Sequence, residues 1–258
     1  MRFGIVHLAQ APMRAEASDK SEMISQLLFG ECVHIVSHIP KWLQVQNVYD
    51  GYQGWVSDKQ VLEISPEEYE RANASATILC ADPGGIIKVN KQPCPVTMGA
   101  VFPHYANGKF QLASKPGNVQ LSVIDSANNP PTENNIINIA TKYINAPYLW
   151  GGRTPFGIDC SGFVQMVFRF LGIKLYRDAY QQAEQGRMVE FINQTQTGDL
   201  AFFDNEHKRI IHVGIILPDR KIIHASGQVR IDTMDHYGIF NANTNSYSHK
   251  LRVIRRLI

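Results

Sequence analysis

Hydrophobic and polar positions alternate in short runs along the first 64 residues. The pattern is clearest in Gly30–Ser37 and Lys41–Tyr49, and the Asp50-Gly51 pair that follows is a hairpin signal. Alternation predicts half-buried strands, and many short strands in so few residues predict a small all-β barrel over residues 1–64. The polar stretch from Arg14 to Ser21 is too long for a tight turn and is expected to be a loop.

The pattern changes at Ser65, where a helix is predicted to begin. Ser65 offers an N-cap oxygen, Pro66 suits the first turn, and Glu67 lies near the positive end of the helix dipole. Apolar runs broken by Pro, Gly and Asn then predict a second, smaller barrel and a linker, so that helix, barrel and linker occupy residues 65–131. The predicted strands here are Thr77–Ala81, Ile86–Val89, Gly108–Leu112 and Val119–Ile124.

In residues 132–258 helices come first and strands follow. Apolar residues recur at helical spacing after Thr132, and a second helix is predicted from about Asp159 to the residue before Gly172. Helices followed by antiparallel strands are typical of an α+β domain. The predicted strands are Asp199–Phe203, Ile210–Leu217, Lys221–Ser226 and Lys250–Leu257.

The composition excludes several classes of function. The chain has 258 residues, 44% hydrophobic and 19% charged, which is typical of a globular protein. Its formal net charge of +2 gives no electrostatic case for binding nucleic acid or a membrane surface. The longest apolar run, Ile210–Leu217, has eight residues, far fewer than the ~18 of a membrane span.

The amino terminus has no apolar signal segment, which predicts a cytoplasmic protein; the alternative is an exported one with a trimmed signal.

Cys160 is the candidate nucleophile among four cysteines. Cys32, Cys80 and Cys94 form no CxxC pair with it and no zinc-like spacing with histidines, so neither a metal site nor a disulfide scaffold is expected. Cys160 lies where the second helix is predicted to begin. Unpaired N–H groups and the helix dipole are expected to lower its thiol pKa there.

Two histidines are candidates for activating that thiol. His212 and His224 interrupt apolar strands, where an unpaired imidazole is costly. If the turn between them is the three residues Pro218–Arg220, they share one face of the sheet, roughly 7–8 Å apart. A two-residue turn would put them on opposite faces. The other histidines are expected to be surface or packing residues: His7, His34, His38, His104, His207, His236 and His249.

Tyr148 precedes Cys160 by twelve residues, in the Gly-rich approach to it. A phenol there can donate a hydrogen bond to a developing oxyanion. A core tyrosine explains the position equally well on spacing alone.

Five short motifs lie within residues 133–258: PYLWGGRT (147–154), GIDCSGFV (157–164), TGDL (197–200), HVG (212–214) and IHAS (223–226). Together they resemble the NlpC-type cysteine peptidases, papain-like hydrolases of bacterial cell-wall peptides. The resemblance implies that Cys160 is the nucleophile, His212 the general base and His224 the residue that orients it. It also implies Tyr148 at the oxyanion hole.

The amino-terminal part resembles bacterial Src-homology-3-like barrels. Two such barrels before the peptidase are similar to the murein-tripeptide-recycling dipeptidyl-peptidases of this family, in which the first barrel closes one side of the site. The resemblance implies that Glu22 and Asp178 contact the amine of an N-terminal L-Ala, and that Trp55, favoured over Tyr52, lies nearby. The other implied substrate-binding residues are Ser161, Asp159 and Trp150.

The predicted protein is thus a papain-like α+β peptidase domain preceded by two small all-β barrels. The favoured function is hydrolysis of the γ-D-glutamyl–L-diamino acid bond in short murein peptides with a free N-terminal L-Ala, which releases L-Ala-D-Glu in peptidoglycan recycling. No cofactor or metal is expected, the partner is the small murein peptide, and the protein is expected to be a monomer. The alternatives are an exported endopeptidase acting on intact murein through wall-binding barrels, and a non-enzymatic murein-peptide sensor. Meso-diaminopimelate and lysine both stay open as the diamino acid.

Overall fold

The computed structural model describes all 258 residues and divides into two compact units, Met1–Asn129 and Pro130–Ile258. This boundary lies close to the predicted end of the linker at residue 131. The further division of the first unit at residue 64 stays a prediction. No helix is both long and apolar enough to cross a membrane.

The first half of unit one is a single antiparallel sheet. Its strands are β1 (Arg2–Val6), β2 (Gln10–Arg14), β3 (Met23–Leu28), β4 (Cys32–Ile39), β5 (Trp42–Asn47), β6 (Gln53–Ser57) and β7 (Val61–Ile64). The order is β3-β2-β6-β5-β4-β1-β7. Apolar residues from alternating positions, among them Val6, Val33 and Val45, are fully buried together. The prediction of an all-β region here is therefore confirmed.

Helix α1 (Pro66–Ala74) begins as predicted at Ser65. The Ser65 hydroxyl accepts from the Glu68 N–H at 3.2 Å, and the Glu68 carboxylate accepts from the Ser65 N–H at 3.1 Å. This reciprocal capping satisfies two N–H groups that a helix start leaves unpaired.

The rest of unit one contains two small sheets. The strands are β8 (Ile78–Cys80), β9 (Gly84–Val89), β10 (Gln92–Thr97), β11 (Lys109–Leu112), β12 (Lys115–Asn118) and β13 (Val123–Asp125), ordered β10-β9-β12-β11 with a separate β13-β8 pair. The sequence patterns missed β10 and β12, which contain prolines. Strand β10 lies at a sheet edge, where the missing N–H of Pro93 and Pro95 is tolerated.

Unit two places its helices before most of its strands. The helices are α2 (Glu133–Thr141), α3 (Cys160–Arg169) and α4 (Ala179–Gln182). The strands are β14 (Arg153–Thr154), β15 (Gly157–Ile158), β16 (Arg187–Val189), β17 (Leu200–Asp204), β18 (Ile210–Leu217), β19 (Lys221–Ser226), β20 (Gln228–Met234), β21 (Gly238–Asn241) and β22 (Ser246–Arg256).

The large sheet of unit two is antiparallel and closes on itself. Its order is β16-β22-β17-β18-β19-β20-β21, and β22 pairs with β21 as well. Helix α3 is buried along its whole length and packs against β18 and β19. The predicted α+β fold is confirmed.

The sequence patterns missed β16, β20 and β21. In β20 the buried positions are Val229, Asp232 and Met234, whereas Ile231 is exposed. A polar residue at an inward position breaks the period-two hydrophobic pattern, and this residue belongs to the site described next.

Candidate active site

Cys160 is the first residue of α3, as the sequence predicts. Asp159 is its N-cap, and the Asp159 carboxylate accepts from the Gly162 N–H at 2.7 Å. Backbone N–H groups of Val213 and Ser161 donate to the Cys160 sulfur. Val213 directly follows His212, so the thiol lies beside the strand that carries the predicted base.

The expected low thiol pKa is wrong for this structure. Burial first, and the Asp159 carboxylate second, raise the pKa of Cys160 to about 12. The N–H groups of Val213 and Ser161 and the Arg177 guanidinium act in the opposite direction but do not compensate. A helix start stabilises a thiolate only where water or a counter-charge also supports it, and Cys160 is 6% exposed. The Cys160 thiol is therefore neutral at rest.

A buried ion pair holds the loop and helix around Cys160. Arg177 donates to both oxygens of Asp159, at 3.0 and 2.6 Å, and to the Ser161 hydroxyl at 3.0 Å. The Gly151 N–H also donates to Asp159, at 2.8 Å. Asp159 and Ser161 thus have partners within the protein, and their predicted contact with substrate stays a prediction.

Glycines allow the same loop to approach the helix closely. A Cβ on Gly162 would lie 2.4 Å from the Gly152 carbonyl oxygen, and one on Gly152 would lie 2.4 Å from that of Gly157. Side chains at these positions would push the loop away from the start of α3.

The two predicted histidines share one face and are directly bonded. Leu217 pairs with Lys221 across the three-residue turn, the alternative that the prediction required. His212 Nε2 lies 2.8 Å from His224 Nδ1. His212 and His224 are 5% and 1% exposed. Burial, with His249 and His224 nearby, lowers the pKa of His212 well below its ordinary value, so its ring is neutral.

Asp232, which the sequence analysis did not single out, completes this arrangement. Its Oδ2 lies 2.9 Å from His224 Nε2, and Arg230 donates to its Oδ1 at 2.7 Å. Burial opposes the charge of Asp232, but the hydrogen bonds from His224 and Arg230 outweigh it and lower the pKa of the carboxyl.

The charge on Asp232 determines the tautomers of both rings. A carboxylate only accepts, so His224 donates from Nε2 and carries its lone pair on Nδ1. That lone pair accepts from His212 Nε2–H. His212 Nδ1 therefore has the free lone pair that a general base needs.

His249 is also part of the site, contrary to the expectation of a surface or packing residue without a site partner. Its ring stacks on His212 with centroids 4.1 Å apart and planes at 24°. Burial lowers the pKa of His249 to about 4. The sequence offered no signal, because His249 comes from β22, outside the recognised motifs.

Three imidazoles this close raise the question of a metal ion. The ligand nitrogens of His212, His224 and His249 all lie within 4.8 Å of one another. However, His212 and His224 use one nitrogen each in their mutual hydrogen bond, and His224 uses its other nitrogen on Asp232. The geometry suits a hydrogen-bonded chain better than tetrahedral coordination.

Tyr148 lies next to the Cys160 region. Its N–H donates to the carbonyl of Gly227, the turn residue after β19, at 2.9 Å. Burial and the nearby Cys160 and Asp159 raise the pKa of its phenol. The phenol is therefore a proton donor at neutral pH, which suits the predicted oxyanion role.

The remaining predicted residues are in varied surroundings. Trp150 is 59% exposed. Asp178 is the N-cap of α4, where the Gln181 side chain accepts from its N–H at 3.3 Å. In unit one, Trp55 lies in β6 opposite Gln44, and the Glu22 carbonyl accepts from the Ala15 N–H at 3.0 Å. Their roles in substrate binding, like the choice of Trp55 over Tyr52, stay predictions.

Comparisons with known proteins find matches in both units. Residues 145–248 match the NlpC/P60 family, and residues 13–61 match the bacterial dipeptidyl-peptidase Sh3 domain. The chain is 28% identical over 217 residues to a gamma-D-glutamyl-L-lysine dipeptidyl-peptidase of Bacillus subtilis, covering 78% of this chain and 71% of that protein. It is 26% identical over 233 residues to the Bacillus cereus protein of the same name, covering 81% and 68%.

A solved structure shares the fold. An NlpC/P60 family protein from Bacillus cereus superposes with a TM-score of 0.81 over 99% of both chains, at 21% identity. At this identity the likeness concerns the fold alone.

Proposed function

We propose that this chain, a cysteine peptidase of the NlpC/P60 family, hydrolyses the γ-D-glutamyl–L-diamino acid bond of short murein peptides and releases L-Ala-D-Glu. The observation that carries the proposal is the buried His212–His224–Asp232 hydrogen-bonded chain on the strand whose Val213 N–H donates to Cys160, in a chain that also matches a dipeptidyl-peptidase Sh3 domain. The two Bacillus relatives, named gamma-D-glutamyl-L-lysine dipeptidyl-peptidases, support the same bond.

The first step is attack by Cys160 on the γ-carbonyl carbon. Because the thiol and His212 are both neutral at rest, the proton moves to His212 Nδ1 as the carbon–sulfur bond forms. The Tyr148 hydroxyl and the Cys160 N–H donate to the resulting oxyanion.

The second step expels the diamino acid. His212 returns its proton to the leaving nitrogen as the carbon–nitrogen bond breaks, which leaves a thioester on Cys160. Water then attacks the thioester carbon and His212 takes a proton from it. When the carbon–sulfur bond breaks and L-Ala-D-Glu leaves, His212 returns this proton to the sulfur and restores the thiol. The charge of Asp232 supports the imidazolium that forms twice in this cycle, by way of His224.

We also propose that the site recognises a free N-terminal amine on the substrate. An ammonium moved from water into a closed site needs anionic partners. In unit two, Asp178 supplies one such partner, with Ser161, Asp159 and Trp150 as further substrate contacts. In unit one, Glu22 and Trp55 are the contacts that the family resemblance implies. Such an enzyme would act in the cytoplasm, as a monomer, on peptides recovered from the wall.

The test compares two peptides by mass spectrometry. L-Ala-γ-D-Glu-diaminopimelate should be cleaved, and the same peptide with an acetylated amine should be cleaved at least about tenfold more slowly, because one buried charge pair is lost. The control variant Cys160→Ala should lose all turnover while retaining the wild-type circular dichroism spectrum.

Each of the other outcomes would contradict a specific part of the proposal. Equal cleavage of both peptides would replace the amine-gated enzyme with an endopeptidase. Turnover by Cys160→Ala would disprove the mechanism. Cleavage of neither peptide by the wild-type protein would disprove the proposed function.

A further inference from the structure

A cleft in unit two borders the catalytic histidine. Its volume is about 630 Å³, and its lining includes Ile211 and His249. Ile211 directly precedes His212 in β18 and is 52% exposed, while His249 stacks on the His212 ring. His212 itself does not line the cleft, but its chain neighbour Ile211 and its stacking partner His249 do.

The position of the cleft assigns it to one side of the scissile bond. In the proposed mechanism His212 gives its proton to the leaving nitrogen, so the leaving residue departs past this ring. The volume is within the range of small-molecule sites, roughly 300–1,000 Å³. The cleft can therefore hold one diamino acid residue with room to spare.

The wall of the cleft is fixed by backbone contacts. The Leu251 N–H donates to the Tyr237 carbonyl at 3.0 Å. Gly238 has φ +145°, and a Cβ there would lie 1.8 Å from the His249 carbonyl oxygen. The Tyr237 and Tyr247 rings meet edge to face with centroids 5.7 Å apart. Two aromatic rings suit the methylene chain of a long side chain and attract an ammonium.

The cleft also contains one charge of each sign on neighbouring strands. Asp204 of β17 and Lys250 of β22 are direct cross-strand partners, and both line the cleft. The Asp204 side chain is 6% exposed and has Arg252 Nε at 3.7 Å. Lys250 forms no ion pair in the structure, so its ammonium is available to an anionic ligand.

We propose that this cleft binds the leaving residue and that Lys250 selects a side chain ending in both an ammonium and a carboxylate, as in meso-diaminopimelate, over that of lysine. The inference rests on the proposed function. Lysine matches the aromatic wall and Asp204 but leaves Lys250 without a partner. The diaminopimelate terminus adds the carboxylate that Lys250 pairs with.

The experiment measures kcat/KM for three tripeptides that differ only in the third residue: meso-diaminopimelate, its side-chain carboxamide, and L-lysine. Wild-type protein should prefer the diaminopimelate peptide over both others by about tenfold, the effect of one charge-assisted hydrogen bond. Lys250→Met, which keeps the stem and removes the charge, should abolish this preference by lowering only the diaminopimelate rate. Lys221→Met, at an exposed position on β19 outside the cleft, is the matched control and should retain the preference.

The outcomes distinguish a failure of the cleft assignment from a failure of the proposed reaction. Equal wild-type rates on the three peptides, or a Lys250→Met loss of the same size on all three, would overturn the role of Lys250. If no peptide is cleaved, the proposed function fails, and calorimetric binding to Cys160→Ala then decides about the cleft. Equal affinity for the three peptides would overturn it, whereas a preference lost in Cys160→Ala/Lys250→Met would support it.

Discussion

The two ends of the active site are built in different ways. The Cys160 end is local: the loop before it, its N-cap Asp159 and the glycines that allow close packing all lie within residues 148–162, and Arg177 joins them. The imidazole end comes from four strands, with His212, His224, Asp232 and His249 on β18, β19, β20 and β22. The first end depends on helix capping and one buried ion pair, and the second on strand register.

Removing the charge of Arg177 tests the local end and carries the largest expected effect. Arg177→Met leaves the buried Asp159 carboxylate without its cation, which should lower the free energy of unfolding by about 3–5 kcal/mol. Urea denaturation followed by circular dichroism measures the change.

The matched control for this prediction is Arg2→Met in the exposed Arg2–Glu63 pair. It should leave the denaturation midpoint unchanged, since exposed pairs are screened by water. A midpoint for Arg177→Met equal to that of the wild type would mean that the Cys160 end does not depend on this ion pair.

Asp232→Asn tests the imidazole end without changing its shape. The amide can accept from His224 or donate to it, so both tautomers of the His chain become accessible and His212 loses its guaranteed lone pair. We expect kcat to fall about 100-fold, less than the ~10⁴-fold effect of changing the direct partner of a catalytic histidine.

Steady-state kinetics across pH measures this effect. Asp219→Asn, in the turn between β18 and β19, should keep wild-type kcat because Asn tolerates the positive φ of 58° found there. A wild-type kcat and pH profile for Asp232→Asn would show that the tautomers of the chain do not depend on this carboxylate.

His249→Phe is expected to give the smallest effect, a change in how the free energy of unfolding depends on pH. The pKa of His249 falls from 6.5 to about 4 on folding. Between these values the unfolded chain binds more protons, so stability is complete above about pH 6.5 and decreases as the pH falls toward 4. Phenylalanine keeps the stack on His212 but does not titrate. The slope of the free energy of unfolding against pH should therefore become shallower by the equivalent of about one proton.

Unfolding measured between pH 4 and 7 checks this prediction, with His207→Phe as the control, because the His207 side chain is 73% exposed. The control should retain the wild-type pH dependence. An unchanged slope in His249→Phe would indicate that the imidazole is not buried in solution.

Local signals in the sequence predicted the elements that local physics determines. Ser65 and Asp159 were recognised as helix starts because capping depends on a few neighbouring residues. The pairing of His212 with His224 followed from one short turn and the strand period of two. The prolines of β10 and the inward Asp232 of β20 concealed their strands, since each breaks the pattern by which strands are recognised.

The sequence alone therefore determined the order of the elements and the position of Cys160 at a helix start, and it carried the motifs by which residues 145–248 match the NlpC/P60 family. Only the tertiary structure decided that the Cys160 thiol stays protonated, because burial outweighs the helix start in setting its pKa. It also decided that Asp232 and His249 join His212 and His224, because residues distant along the chain meet only when sheet register and closure bring their strands together.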